Sequence, residues 1–363
     1  MSTFDLLADL PLQVESYTLE GLRAQVSSGF ERLTTVVHLH GGELEGVGED
    51  VVYQAEDHVA FQEAGAVHDL RGSYALGEFC ELIDSLDLFP VQPGFDVSRL
   101  YRRWTFHSAA LDLALRQADR PLHEVLEREP RPLTFVVSLR LGEPASIEPV
   151  EHRLARYPSL RFKLDATSSW SPALIAALVA TGAVDSIDFK ALYRGTVVDQ
   201  EPDPALYRRV VDAFPDAWLE DPDVVTPETA AALAGEHDRI TWDAPIHSIA
   251  DIEGLPFAPR MVNLKPSRIG GLPALCAAYD YCAERGIGAY GGGQFELGPG
   301  RGQAQYLASL FHPETPNDLA PVGYNVEEPA PGLPSSPLPP APDVVGFRWG
   351  SYSANASSSL PRT

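Results

Sequence analysis

Two hydrophobic rhythms divide the chain near residue 130. In residues 11–62 apolar positions come in short β-rich runs and read as a meander. Leu33-Thr-Thr-Val-Val-His-Leu-His40 predicts a strand, Gly41-Gly42 a turn, and Leu44 to Tyr53 the returning strand. Helical spacing follows at 73–86 and again from Trp104 to about Ala118, which puts Phe106, Ala109, Ala110, Leu113 and Ala114 on one face. From Pro132 the rhythm becomes strand–helix alternation. Strands are expected at Leu133–Arg140, Leu160–Asp165, Val184–Leu192, Ala217–Asp221, Ile240–Asp243, Met261–Lys265 and Ile287–Gly291, with a last weak one at 319–323. Helices are expected between them at 147–157, 172–181, 203–213, 227–236, 249–254, 272–285 and 300–311. About eight such units in one run predict α/β architecture of the (β/α)8, TIM-like barrel type. The expected domains are an α+β capping domain over 1–130, the barrel over 131–326, a Pro-rich return segment over 327–349 that completes the capping domain, and a Ser-rich disordered tail over 350–363. Asp343 to Trp349 could add one more strand.

Composition narrows the function. With 51 acidic against 27 basic residues the net charge is −24, which argues against nucleic acid and anionic membrane surfaces as partners. Nor is there an apolar run of about 18 residues that predicts a membrane span. The start, Met-Ser-Thr-Phe-Asp, lacks the layout of a signal peptide, and the three cysteines show no metal spacing, so a reducing cytoplasm is the expected compartment. Homo-oligomerisation is left open.

The strand ends carry the chemistry. In a barrel the last residues of each strand surround one cavity. Here those positions hold Lys163 and Asp165, Asp188 and Lys190, Glu220 and Asp221, Asp243, Lys265, and then Gln294 and Glu296. Any one strand-end Asp or Lys is ordinarily a cap or a solvated charge, but a whole set in register is harder to produce by accident. Carboxylates packed together repel unless a cation lies among them, and an all-oxygen site suits Mg²⁺, with Mn²⁺ as the alternative. Such an ion, beside a lysine acting as base, suits removal of a proton α to a carboxylate, so the expected partner is a small-molecule carboxylate substrate.

These residues resemble the enolase superfamily, in the branch that holds muconate-lactonising enzyme, o-succinylbenzoate synthase and N-acylamino-acid racemase. Val36-Val37 through Gly46-Val-Gly-Glu49 and Ser108-Ala-Ala-Leu-Asp112 are similar to parts of that family's capping domain. Trp218-Leu-Glu-Asp-Pro222 is similar to its fourth-strand metal motif. Asn263-Leu-Lys-Pro-Ser-Arg-Ile-Gly-Gly271 resembles its sixth-strand motif, and Gly292-Gly-Gln-Phe-Glu296-Leu-Gly-Pro-Gly-Arg301 the run after its seventh strand. The resemblance implies Lys163 as catalytic base with Lys265 on the opposite face, and Asp188, Glu220 and Asp243 as metal ligands. Arg161 would replace the first lysine of a Lys-x-Lys pair, and Arg268 and Gln294 would line the site, unless Arg268 braces the following loop through Glu296. Loops around Ala24–Arg32 and Asp50–His58 would close over the substrate.

The chain departs from that pattern at two places. Asp188-Phe-Lys190 stands where Asp-x-Asn is usual, and this lysine would repel a metal unless paired, with Asp221 or Glu220 as the expected partners. Asp243-Ala-Pro stands where Asp-Glu-Ser is usual. The activity implied is divalent-metal-dependent proton abstraction through an enediolate, most like the dehydration catalysed by o-succinylbenzoate synthase in menaquinone biosynthesis. Alternatives are a racemase or epimerase of N-acylamino acids or dipeptides, and a catalytically impaired binding protein. Dipeptide epimerases carry Asp-x-Asp after the eighth strand, where Asn317-Asp318-Leu-Ala has one acid.

Overall fold

In the computed structural model, residues 1–26, 30–196, 198–324 and 326–350 are described. The expected Ser-rich tail and part of the 24–32 loop lie outside them. In the N-terminal part the strands are β1 (Pro11–Val14), β2 (Ser16–Gln25), β3 (Glu31–Gly41), β4 (Leu44–Asp50) and β5 (Gly72–Ala75), with helices α1 (Ala55–Ala64), α2 (Leu76–Ser85) and α3 (Ser98–Gln117). β2, β3 and β4 pair antiparallel in that order, and β1 pairs antiparallel with β5. The Val36-Val37-His-Leu39 run places its apolar side chains in the core, fully shielded from solvent. β4 lies directly on α3, because Gly46 and Gly48 present no side chain there. A Cβ at Gly46 would run into the Ala109 carbonyl, and one at Gly48 into the Thr105 carbonyl.

The meander expected over 11–62 stops at Asp50, and α1 occupies its last part. The Asp50 carboxylate accepts the Val52 amide at 3.1 Å and the Arg102 guanidinium at 2.8 Å, which turns the chain out of the sheet. With Phe61 buried and Val59 exposed, no clear amphipathic stripe marks α1 in the sequence.

The C-terminal part follows the expected alternation, with shorter strands: β6 (Val137–Arg140), β7 (Phe162–Asp165), β8 (Val184–Asp188), β9 (Trp218–Glu220), β10 (Ile240–Thr241), β11 (Met261–Asn263) and β12 (Gly288–Tyr290). Strands β6 to β10 form one five-stranded parallel sheet in sequence order, and β11 pairs with β12 in parallel. Isolated parallel bridges continue the path. Trp242 pairs with Val262, Gly292 with Asp318, and Phe135, just before β6, with Asn317. Pro-led helices with side-chain caps return the chain between strands: Ser171 accepts the Leu174 amide, and Asp203 those of Ala205 and Leu206. The weak strand expected at 319–323 is a bridge at Asp318 followed by a 3-10 turn at Val322–Tyr324. In place of the strand expected at 343–349 there are isolated bridges, Gly346 pairing in parallel with Pro121 and Trp349 antiparallel with Pro342. The segment contacts α3, where Asp112 accepts the Phe347 amide and the Arg348 guanidinium, each at 2.8 Å. Among the described residues no helix is long and apolar enough to cross a membrane.

Register is what positions the site. Asp165 stands beside Asp188, and Asp188 beside Glu220, so the carboxyl ends of β7, β8 and β9 present one row of acids. At the far end of the path Asn317 holds the seam. Its Oδ1 accepts the Gly291 amide at 2.6 Å and the His312 ring at 2.7 Å, while its Nδ2 donates to the Thr134 carbonyl at 3.1 Å.

Burial lowers the His312 pKa to about 4, against the support of its Asn317 hydrogen bond. In the unfolded chain the ring takes up a proton near the ordinary value of about 6.5, while in the folded protein it stays neutral to about 4. Between those values the unfolded state binds more protons, so stability falls as pH drops through this window, by about 3 kcal/mol in all. Urea unfolding at pH 7, 5.5 and 4 is expected to show this slope in the wild type, and a flatter one in His312→Gln.

Candidate active site

Strand ends bring most of the predicted residues into one buried cluster. Lys163 on β7 is 2% exposed, and its ammonium is bonded to Glu220 Oε1 and lies 3.2 Å from Asp188. Lys265, two residues beyond β11, bonds Asp243 Oδ2 at 2.8 Å. Arg268, in the short helix Pro266–Ile269, bonds Asp243 Oδ1 at 2.7 Å and the Asp243 carbonyl at 2.6 Å. Asp221 is buried and accepts the backbone amides of Asp243 and Ala244, each at 2.8 Å, so it braces the turn that presents Asp243. Lys190 pairs with Asp188 and lies 3.6 Å from Asp165, rather than with the Asp221 or Glu220 expected from sequence. Lys190, Asp221 and Phe295 all adopt positive φ (53°, 47° and 55°), a backbone strain that collects at this end of the strands.

Other predicted residues sit at the margin. Gln294 gives its side-chain amide to Ser267 at 2.5 Å. Glu296 pairs at 3.0 Å with Arg301 and not with Arg268, so Arg268 does not brace that loop as considered above. The Arg161 side chain, which is 40% exposed, pairs with Asp185 outside the cluster.

Sequence reasoning missed several contributors. The Tyr193 hydroxyl donates to Asp243 at 2.7 Å, and the Tyr290 hydroxyl to Glu220 Oε2. Asp318 lies 3.6 Å from Lys163. Arg32 reaches from β3 to the carbonyls of Val51 at 2.6 Å and Gln294 at 3.0 Å, tying the N-terminal sheet to the rim. Tyr290 ends a strand, so position could have flagged it. Asp318 stands out in the sequence only as the single acid of Asn317-Asp318-Leu-Ala, and its nearness to Lys163 comes with the bridge to Gly292. Tyr193 lies in a loop with no such signal.

Electrostatics separate the two lysines. Burial opposes the charged form of Lys163, but Glu220, Asp188 and Asp318 overcome it and hold its pKa well above the ordinary lysine value. Burial also lowers Lys265, with Arg268 and Lys163 adding to that and Asp243 opposing it, and the net direction is downward. Against burial, Arg268, Lys265 and Lys163 keep the Asp243 carboxyl well below the usual carboxylate range. Burial, with Asp243 and Asp188 nearby, pushes Asp221 up to about 7.

The chemistry of the donor set fits a hard divalent ion. Asp188, Glu220 and Asp221 are all buried, and each offers an oxygen within 4.8 Å of the others. Each carboxylate oxygen has two lone pairs, so the lysine and tyrosine contacts leave acceptor capacity. Buried polar atoms with no hydrogen-bond partner among the described residues include Asp165 Oδ1 and both amide atoms of Asn263 at strand ends, and Gln294 Oε1 in the loop after β12.

Comparison with known proteins bears on the fold. Solved structures that share the fold are members of the enolase superfamily. An unknown member of that superfamily from Enterococcus faecalis V583 has a TM-score of 0.66 and 17% identity, covering 96% of this chain and 97% of that one. A dipeptide epimerase from Methylococcus capsulatus, complexed with a Mg ion, has a TM-score of 0.64 and 17% identity over 87% of this chain and 92% of that one. Curated relatives match locally. The o-succinylbenzoate synthase of Bacillus subtilis (strain 168) is 38% identical over 61 residues, and the N-succinylamino acid racemase of an Amycolatopsis species 40% over 63. These matches span 16% and 17% of the relatives' own lengths. The chain belongs to the family described as a domain of unknown function (DUF8230), whose C-terminal domain matches residues 129–326 and N-terminal domain residues 5–125.

Arg268→Leu would leave the buried Asp243 carboxylate with one cation fewer, and breaking such a pair costs about 3–5 kcal/mol. Urea unfolding is the check. A loss below about 1 kcal/mol would mean that Arg268 does not hold Asp243 in the folded protein.

Proposed function

We propose that this protein removes a proton α to the carboxylate of a small substrate, with a divalent cation, through an enediolate. The parallel path from β6 through the bridge at Asn317 is read as a (β/α)8-type barrel over 131–326, capped by the part before residue 130. The observation that carries the reading is the pair of buried lysines, Lys163 and Lys265, on one carboxylate cluster. Asp188 and Glu220 would hold the ion, with Asp243 as third donor by the sequence motif or Asp221 by proximity. Mg²⁺ or Mn²⁺ suits these oxygens, and when bound it would hold the substrate carboxylate and offset the charge that develops on it.

The chain's own residues divide the remaining work. The motif assigns the base to Lys163 and the facing position to Lys265. Without the ion, Glu220 and Asp188 hold the Lys163 pKa up while burial lowers that of Lys265. A cation on those two carboxylates would offset their charge and lower Lys163 as well. The protonated partner would then face the developing enediolate as a fixed charge. Asp221 would keep Asp243 in place through two backbone bonds, and Arg268 would restrain the same carboxylate.

Loss of water from a β-hydroxyl substrate, as in o-succinylbenzoate synthase, is the leading outcome, supported by the motifs after the sixth and seventh strands. A lysine pair would also support 1,1-proton transfer, the chemistry of a racemase or epimerase. The test is incubation with Mg²⁺ in D₂O together with N-acylamino acids, dipeptides and the cyclohexadiene precursor of o-succinylbenzoate. Dehydration would identify the synthase, and α-deuterium without dehydration a racemase. Replacing the lysine that acts as base with Ala is expected to slow exchange by about 10³-fold. Absence of exchange with every substrate would overturn the proposal.

A further inference from the structure

Lys190 is the residue that the proposed reaction leaves without a task. It stands among the acids of the site, and its ammonium is bonded to Asp188 Oδ2, while its own backbone amide donates to Asp188 Oδ1 at 2.9 Å. A positive φ of 53° folds the chain back so that this residue, two positions after Asp188, covers both oxygens of that carboxylate. A non-glycine residue adopts that conformation at some cost, so the contact is built into the loop. Asp188 carries a second ammonium as well, from Lys163 at 3.2 Å.

A second place for the Lys190 ammonium lies next door. Asp165 Oδ1 is 3.6 Å away, and this oxygen has no hydrogen-bond partner among the described residues. Asp165 and Asp188 are register partners on β7 and β8, so their side chains emerge about 5 Å apart on the same face. Change at the outer χ angles of a lysine spans that distance. The Tyr193 ring offers the ammonium a π-face 4.9 Å away where it now lies.

We infer that Lys190 is a two-position ammonium that sits on Asp188 in the ion-free protein and moves to Asp165 when a divalent cation takes Asp188. It thereby acts as a positioning residue for the ion, occupying the carboxylate with its own charge until the ion arrives and keeping the strand ends neutralised in both states. The inference rests on the proposed metal dependence, and it adds that ion affinity is set by competition with a residue of this chain.

Binding of Mn²⁺ to the full chain, followed by electron paramagnetic resonance without substrate, tests this apart from catalysis. Lys190→Met and Lys190→Gln are both expected to bind Mn²⁺ about tenfold more tightly or better, since each removes a positive charge beside the ion. Asp165→Asn is expected to weaken Mn²⁺ binding in the wild type and to change little in the Lys190→Met background, because it removes the second resting place. Equal affinity in wild type and both Lys190 variants would overturn the inference and leave the metal reading standing. Weaker binding by both Lys190 variants would overturn it too. No Mn²⁺ binding by any of the proteins would overturn the metal reading and this inference together.

Discussion

Excess negative charge, buried at the carboxyl ends of parallel strands, is the constraint on which the rest of the structure depends. Asp188, Glu220, Asp221 and Asp243 are all essentially shut off from water, and ionised groups in that setting must be paired or neutralised. The chain answers with Lys163 from β7, Lys190 from the turn after β8, and Lys265 and Arg268 from the segment that follows β11. Lys190 meets Asp188 within a single turn, but Lys163, Lys265 and Arg268 reach carboxylates of other βα units, so the full cluster forms only when the strands are in register. Its electrostatics and the fold are therefore one problem. Tyrosine hydroxyls and backbone amides take up the acceptors that remain, as Tyr193, Tyr290 and the Asp243 amide show.

The N-terminal part is built to meet this face. Glu49, at the end of β4, accepts the amides of Leu297, Gly298 and Gly300, and Arg32 ties β3 to the Gln294 carbonyl. Both contacts fasten the loop after β12, whose Gln294 reaches Ser267 beside Lys265. A substitution in the antiparallel sheet would thus be felt at the strand ends without touching a carboxylate.

Much of this was legible from residue order. Strand–helix alternation after Pro132 depends on local periodicity, and the acids and lysines at strand ends follow from where each apolar run stops. What escaped was whatever depends on backbone conformation or on contacts between distant segments. The turn at Asp50 is made by Arg102, 52 residues away. Lys190 could be seen as a departure from the family's pattern, but its partners are chosen by a positive φ and by strand register. Likewise Arg268 finds Asp243 rather than Glu296 because the short helix after Lys265 turns it inward, while Arg301 satisfies Glu296 from the following helix.

The cluster as drawn has two ways to balance its charge, with lysines alone or with lysines and a divalent ion. Crystals of the full chain grown with Mn²⁺, examined by anomalous scattering, separate them most directly. An ion bonded to Asp188 and Glu220 at about 2.0–2.3 Å, with the Lys190 ammonium on Asp165, is the predicted result. Crystals that hold no ion there at millimolar Mn²⁺, with Lys163 and Lys190 still on Glu220 and Asp188, would contradict it.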